Sequence, residues 1–534
     1  MRKFSSYGPV NPKLHYYTPR ENLIDKAYTN LIGENPAEGG HYITVWAPRQ
    51  TGKSWLMQEI LQKIQKNPPF DVVQVSLERL KYENNVPKVI QTIAEKIGER
   101  LGKSFPGIDT QDKFQDIFKI GTIDKPLILI LDEFDALAEE AINVLVSAFR
   151  NTYIERQYER DKPSEKKSYL LHGVALIGVR SVLGIENMRG SPFNVQHSLH
   201  VPNLTYDEVM GMFQWYEKES GRKIEKKVID RLFYETRGQP GLTCWFGELL
   251  SEGFEDYRVD TAKPVTMRDF EIVYAAATYA LPNNNILNII SKARQEPGKT
   301  LIFEMFQTEK KLEFRFDDPA IKMLYMNGVV DKEVEEQVRY YLRFSCPFVQ
   351  KRLFNYFSRE LFNEMGQLVE PFTDLDRVVT PDRLDLRELM KLYQKYLDKN
   401  KSWLFKKAPR RSDLRVYEAV FHFNLYAYIE GFLRSKKGRV FPEFPTGNGK
   451  IDLLIEYGGA TYGIELKSFT HRAAYRQALE QAARYGEQLG LREIFLVTFV
   501  ETIDRENRRT YEVDHRDAGT GVTVKPIFIC TGAV

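Results

Sequence analysis

Apolar residues fall in short solid runs over the first two hundred positions. His41-Tyr42-Ile43-Thr44-Val45-Trp46-Ala47, Asp71 to Leu77, Leu127 to Leu131 and Val174 to Val179 read as buried strands. The Leu/Ile run of the third is of the kind that lies inside a parallel sheet. Helical stretches alternate with them, the first from Trp55 to Lys66, and this alternation predicts a doubly wound α/β domain. Arg156 to Lys167 is heavily charged with one proline and reads as an exposed loop or helix end. From Thr205 to about Tyr279 the pattern turns helical, interrupted by Gly238-Gln239-Pro240-Gly241. Residues 286–358 mix short helices with a hairpin from Gly328-Val329-Val330-Asp331 to Tyr340-Tyr341-Leu342-Arg343-Phe344. Two helices and a two-stranded wing suggest a winged-helix module. A charged, irregular connection covers roughly 365–410. A second α/β pattern ends the chain: a helix from Asp413 to Leu433, strands near 439–445, 450–457 and 461–468, a helix over 471–489, and strands at 493–500 and 522–530. The predicted fold class is α/β and multidomain. The segments are 1–203 (doubly wound core), 204–282 (helical lid), 283–365 (winged helix), 366–404 (linker) and 405–534 (C-terminal α/β domain).

Composition narrows the classes. The 534 residues are 43% hydrophobic and 28% charged, and 76 basic against 73 acidic residues leave a net charge of +3. That balance excludes a generally polybasic protein but not local basic patches. No apolar run of about 18 residues predicts a membrane span. Met1 to Pro9 lacks the apolar stretch of a secretory signal. Cys244, Cys346 and Cys530 are far apart, which argues against a disulfide framework or structural zinc and fits a cytoplasmic location.

Ala47-Pro48-Arg49-Gln50-Thr51-Gly52-Lys53-Ser54 fits a phosphate loop except that Ala stands at its first position. Backbone N–H groups from Gln50, Thr51 and Gly52 and the start of a helix would surround phosphates. Lys53 would reach the β and γ phosphates, and Ser54 would ligate Mg²⁺. The apolar run 127–131 ends in Asp132-Glu133. Asp132 would hold the Mg²⁺ and Glu133 would orient and deprotonate the attacking water. ATP and Mg²⁺ are the expected cofactors.

These residues resemble the AAA-like ATPases of the STAND and archaeal-ATPase group. Tyr16-Tyr17-Thr18-Pro19-Arg20-Glu21 is similar to that group's N-terminal box, which implies that Arg20 lies near the adenine. Ile177-Gly178-Val179-Arg180-Ser181 resembles its sensor strand, with Arg180 detecting the γ-phosphate. Gly238-Gln239-Pro240 matches the lid's GxP motif, which implies that Pro240 packs near the base. Arg150, Arg156 and Arg189 compete as an arginine finger, and a homo-oligomer is implied.

In the last domain Glu465 and Lys467 are two apart on a strand and share a face. Asp452, on the preceding strand of a hairpin, approaches Glu465. Two carboxylates beside a lysine suit Mg²⁺ and phosphodiester hydrolysis, Asp452 and Glu465 as ligands and Lys467 as the cation. The arrangement resembles the PD-(D/E)xK nuclease superfamily and its restriction-endonuclease-like fold, with Ile451-Asp452 in place of Pro-Asp. That resemblance implies catalytic roles for Glu418, on the helix before the first strand, and for Gln481, in Gln481-Ala482-Ala483-Arg484-Tyr485. Lys406, Lys407, Arg410 and Arg411, then Arg434, Lys436, Lys437 and Arg439, then Arg472, Arg476 and Arg484, would meet nucleic-acid phosphates. The expected function is an ATP-regulated, Mg²⁺-dependent nuclease acting on DNA, in prokaryotic defence or mobile-element maintenance. Two other readings stay open: an ATP switch or scaffold with an inactive nuclease-like binding domain, and a DNA-remodelling ATPase.

Overall fold

The computed structural model describes residues 1–8, 10–66, 69–178, 196–307, 311–336, 338–371, 373–406, 408–410, 416–445, 450–469 and 471–532; at 196, 307, 418, 443–445 and 450 it describes the backbone alone. The chain forms two compact units. The first is Met1–Lys292 with Phe316–Asp331 and Phe344–Pro347; the second is Ala293–Arg315 with Lys332–Arg343 and Phe348–Val534.

In the first unit, β1 (Tyr42–Trp46), β2 (Asp71–Ser76), β3 (Leu127–Asp132), β4 (Leu171–Gly178) and β5 (Gln196–His200) form one sheet in the order β2-β3-β4-β1-β5. Every pairing is parallel. Helix α1 (Glu21–Ile32) precedes β1, and α2 (Lys53–Gln65), α3 (Val86–Leu101), α4 (Gln111–Asp116) and α5 (Glu139–Tyr158) lie in the connections between strands. The unbroken apolar run of β3 has a simple cause. Leu127, Leu129 and Leu131 enter the core shared with α3 and α5, while Ile128 and Ile130 enter the one shared with α1 and α2. The polar β5, Gln-His-Ser-Leu-His, escapes an apolar-run reading because it is an edge strand. Helices α6 (Tyr206–Ser220), α7 (Lys226–Thr236), α8 (Pro240–Glu252) and α9 (Met267–Tyr279) follow within the same unit. A Thr205–Glu208 capping box starts α6.

The segment 156–167 is the helix end that the charge pattern allowed, and most of it is exposed, but three of its polar residues are not. α5 runs through it to Tyr158, and Arg156, Ser164 and Lys167 are buried. The Arg156 guanidinium donates to the Tyr169 carbonyl and, at 2.7 Å, to Ser164 Oγ. The His172 Nε2–H donates to the Ile32 carbonyl at 2.8 Å, which leaves Nδ1 to accept from the Ser164 hydroxyl at 2.7 Å. Each buried polar group thus has a partner, which is the condition for burying it. Burial holds His172 down to about 3. An unfolded histidine takes its proton near 6.5. The stability this site contributes is therefore complete above about pH 6.5 and is lost as pH falls toward the folded value. Chemical denaturation between pH 7 and pH 4 is expected to show a loss of about 3 kcal/mol from this group, and a shallower loss in His172→Gln.

Helices α10 (Asn284–Ala293), α11 (Gly298–Gln307) and α12 (Pro319–Met326) and the hairpin of β6 (Val330–Glu335) and β7 (Arg339–Phe344) come next. Their residues are divided between the two units, so residues 283–365 do not form a body of their own.

The second unit holds α13 (Pro347–Leu361), the short pair β8 (Val379–Thr380) and β9 (Arg383–Leu384), α14 (Leu386–Leu404) and α15 (Glu418–Leu433). Then come β10 (Arg439–Pro445), β11 (Lys450–Tyr457), β12 (Ala460–Ser468), α16 (Arg472–Gln488), β13 (Glu493–Val500), α17 (Arg505–Tyr511), β14 (His515–Arg516) and β15 (Thr523–Cys530). The sheet order is β10-β11-β12-β13-β15-β14, with β10, β11 and β12 antiparallel and β12, β13 and β15 parallel. Gly458 and Gly459, both at positive φ, make the tight β11–β12 turn. α16 is the crossover that returns the chain to the parallel strand β13, and it packs on one sheet face through Tyr475, Ala478, Leu479 and Ala482.

The linker expected over 366–404 is a correction. α14 occupies half of it and buries Leu386, Leu389, Met390, Tyr393 and Leu397 at helical spacing. Gln394 exchanges hydrogen bonds with the Cys530 backbone of β15 at 2.9 and 2.7 Å, and Tyr393 donates to Asn424 of α15 at 2.9 Å. Lys391, Lys395, Asp398 and Lys399, between and just beyond those apolar positions, are its solvated face.

Candidate functional site

Strand β1 ends at Trp46 and α2 starts at Lys53, so the loop between them must turn sharply. Left-handed backbone at Gln50 (φ 58°) and Gly52 (φ 86°) makes the turn. A Cβ at Gly52 would meet nothing within 4 Å, so its conformation alone asks for glycine. Lys53 Nζ donates to the carbonyls of Ala47 at 2.8 Å and Pro48 at 2.7 Å, and Thr51 Oγ1 donates to Pro48 at 2.9 Å. Burial pulls the Lys53 ammonium down to about 8 against the opposing charges of Asp135 and Asp132.

Strand β3 delivers the carboxylates. Asp132 is buried and accepts hydrogen bonds from Ser54 and, at 3.0 Å, from the Glu133 N–H. Burial still raises its carboxyl above the ordinary range. Glu133 sits in left-handed backbone (φ 58°), a strained conformation for a non-glycine residue. Its carboxylate accepts from Ser76 Oγ at 3.2 Å and is raised by burial, then by Glu78 and Asp132. Hard oxygens of Ser54 and Asp132 in direct contact, below a loop of backbone amides at a helix start, fit Mg²⁺ carrying a nucleotide's phosphates. Asp135 is a member the motif reading left out. Gly178 at the end of β4 makes room for it, since a Cβ there would lie 2.5 Å from Asp135 Oδ1.

The Gly238-Gln239-Pro240-Gly241 segment closes on the same loop. Gln239 Nε2 donates to the carbonyls of Arg49 at 3.1 Å and Gln50 at 3.3 Å, and the Gly241 N–H donates to Gln50 at 3.0 Å. Pro240 opens α8, with Gln239 as its cap. Tyr17 meets Trp55 of α2 edge-on at 5.9 Å. Arg20 is the residue just ahead of α1. Its guanidinium is held by the carbonyls of Pro202 at 2.6 Å and Asn203 at 2.9 Å, ahead of α6. Arg156, buried in the network above, is not available as a finger. Arg180 and Arg189 lie outside the described residues.

In the second unit, β11 and β12 bring the other set together. One step on from the Leu453–Ile464 pair, Asp452 comes opposite Glu465. Asp452 Oδ2 accepts the Leu466 N–H at 2.7 Å. Glu465 is 2% exposed, and its Oε1 accepts from Lys467 Nζ at 2.6 Å. Burial lowers the Lys467 ammonium to about 7. From α16, Gln481 Nε2 donates to the Tyr485 hydroxyl at 2.9 Å. Burial raises that hydroxyl, and the charges of Glu465 and Asp452 push it the same way, so helix and hairpin face one another here. Glu418 begins α15; its side chain lies outside the described residues, as do Lys407 and Arg411. Among the described residues no three His, Cys, Asp or Glu side chains form a metal cage. Two carboxylates suffice for Mg²⁺ that draws its remaining oxygens from water and a substrate phosphate. Of the basic residues flanking the hairpin, Arg434 pairs with Glu430 and Arg439 with Glu456, exposed pairs that hold little energy and open readily.

Residues 6–246 match the family of AAA-like domains. The first unit therefore carries an AAA-like P-loop ATPase domain with a parallel central sheet. Among solved structures, a Walker-type ATPase of Pyrococcus abyssi is similar at 13% identity and a TM-score of 0.43, over 66% of this chain and 99% of that one. The ORC1 protein of Aeropyrum pernix in complex with DNA is similar at 15% identity and 0.32, over 63% and 92%. The RuvB Holliday-junction branch-migration motor of Thermotoga maritima is similar at 13% identity and 0.33, over 61% and 92%. No curated protein matches the sequence. No helix among the described residues is long and apolar enough to cross a membrane.

Proposed function

We propose that the chain is an ATP-regulated, Mg²⁺-dependent nuclease that hydrolyses phosphodiester bonds of DNA. The observation that carries this reading is the meeting of Asp452, Glu465 and Lys467 on adjacent strands, with Gln481 and Tyr485 facing them from α16. Asp452 and Glu465 supply oxygen ligands, and Lys467 supplies a positive charge beside the point where a phosphate would lie. Mg²⁺, when bound there, would activate water and polarise the phosphate. The AAA-like domain supports ATP as the controlling ligand, with Lys53 on the phosphates, Ser54 and Asp132 on its Mg²⁺, and Glu133 as the base for hydrolysis. Its regulation of the second unit, and assembly into a homo-oligomer, belong to the same proposal.

The test is incubation of purified protein with plasmid and linear DNA, with and without Mg²⁺ and ATP. Cleavage that needs Mg²⁺ and vanishes in Asp452→Asn is expected. ATP-dependent DNA binding without cleavage in the unaltered protein would instead favour an inactive binding domain.

A further inference from the structure

A cavity of ≈ 410 Å³ opens in the second unit at the starts of β12, β13 and β15. It lies away from the carboxylates. Tyr462, in its wall, is three residues before Glu465 on one strand, so the two side chains leave opposite faces of the sheet. Phe495 shares the wall with Tyr462, since it is paired with Ile464, two residues further along.

Four cationic side chains line this space: Arg383 of β9, Arg387 of α14, Arg492 ahead of β13 and Lys525 of β15. The two carboxylates in the lining are already engaged. Asp385 caps α14 by accepting from the Glu388 N–H at 3.1 Å, and Glu493 pairs with Lys525 at 2.7 Å. Arg387 pairs with Asp514, and Arg383 sits 3.4 Å from Asp385. Arg492 is exposed and has no hydrogen-bond or carboxylate partner through its guanidinium among the described residues. The lining thus carries two more positive than negative groups. The charges come from three stretches of chain, at 383–387, at 492 and at 525, that the fold brings together. Most of these pairs are exposed on at least one side, so an incoming dianion exchanges with them at small cost. The start of the 19-residue α14 adds its dipole in the same sense. The cavity's volume suits a small molecule, and the aromatic wall offers a flat ring a surface.

We propose that this cavity binds a phosphate monoester dianion, free or carried by a small phosphorylated molecule. Arg492, Arg387 and Lys525 hold the phosphate, and Tyr462 with Phe495 flanks whatever it is attached to. The site does not rest on the nuclease reading, since it uses none of that site's residues.

Equilibrium dialysis of the full chain against labelled inorganic phosphate and against labelled AMP tests it. Both are run with the Lys53→Ala substitution, so that the phosphate loop does not compete. Saturable binding of either probe is expected, and the tighter of the two names the source. Arg492→Glu reverses an exposed charge that has no partner to lose, so the fold is kept. It should weaken that binding at least ~10-fold, as loss of one charge-assisted hydrogen bond would. Arg387→Ala should weaken it in the same direction. No saturable binding of either probe, or binding that Arg492→Glu leaves unchanged, overturns the proposal.

Discussion

Lys467→Ala is expected to reduce DNA cleavage by at least ~10²-fold while ATP hydrolysis continues. The ammonium is 2.6 Å from Glu465 Oε1 and is the positive group of the hairpin site. Removing it leaves a carboxylate that is 2% exposed without its cation and takes away the charge that would offset the negative charge developing at the phosphate as the ester P–O bond breaks. The loss is expected in turnover rather than in DNA affinity, because Arg472, Arg476 and Arg484, proposed to meet DNA phosphates, stand on α16 and not on the strand of Lys467. Lys467→Arg keeps the charge but not the compact head, and should recover only part of the rate. Nuclease and ATPase assays on the same preparations check this, with circular dichroism to show that the fold is kept. Cleavage at the unaltered rate by Lys467→Ala would remove the hairpin from the chemistry.

The mirror experiment is Lys53→Ala, for which ATP hydrolysis is expected to fall by at least ~10²-fold and nucleotide affinity with it. Lys53 lies over the loop with its head on the carbonyls of Ala47 and Pro48, so it is already pointed along the phosphate path. Asp132→Asn should spare nucleotide binding more than hydrolysis. It keeps a partner for Ser54 but loses the charge that a divalent cation needs. Nucleotide titration by calorimetry, with and without Mg²⁺, separates the two effects. If ATP control of cleavage is real, Lys53→Ala also removes the ATP dependence of cleavage and leaves the ATP-free rate alone.

The phosphate loop and its acidic strand were legible because both halves are short and local. Ala-Pro-Arg-Gln-Thr-Gly-Lys-Ser needs only a strand before it and a helix after it, and Leu127 to Leu131 is apolar at every position because cores lie on both faces. The hairpin was legible for the same reason: Gly458-Gly459 fixes a tight turn, and the turn fixes which residue lies opposite Glu465. What escaped was set by distant partners. Arg156 belongs to a polar network with Ser164 and His172, and nothing in a charged stretch announces that it is buried. Arg20 is held by carbonyls almost two hundred residues away. α14 hid its apolar face among lysines and other charged residues, and β5 had no apolar run to show. Asp135 became visible through its charge on Lys53 and through Gly178 at the end of β4.

The position of β4 has a further consequence. The strand that ends in the phosphate loop and the strand that ends in Asp132 are not neighbours, because β4 lies between them. Two inter-strand spacings, about 10 Å in all, therefore separate the ends of those strands. A spacer of fixed width, trimmed to glycine at its tip, gauges the gap that a chain of phosphates and its cation must fill.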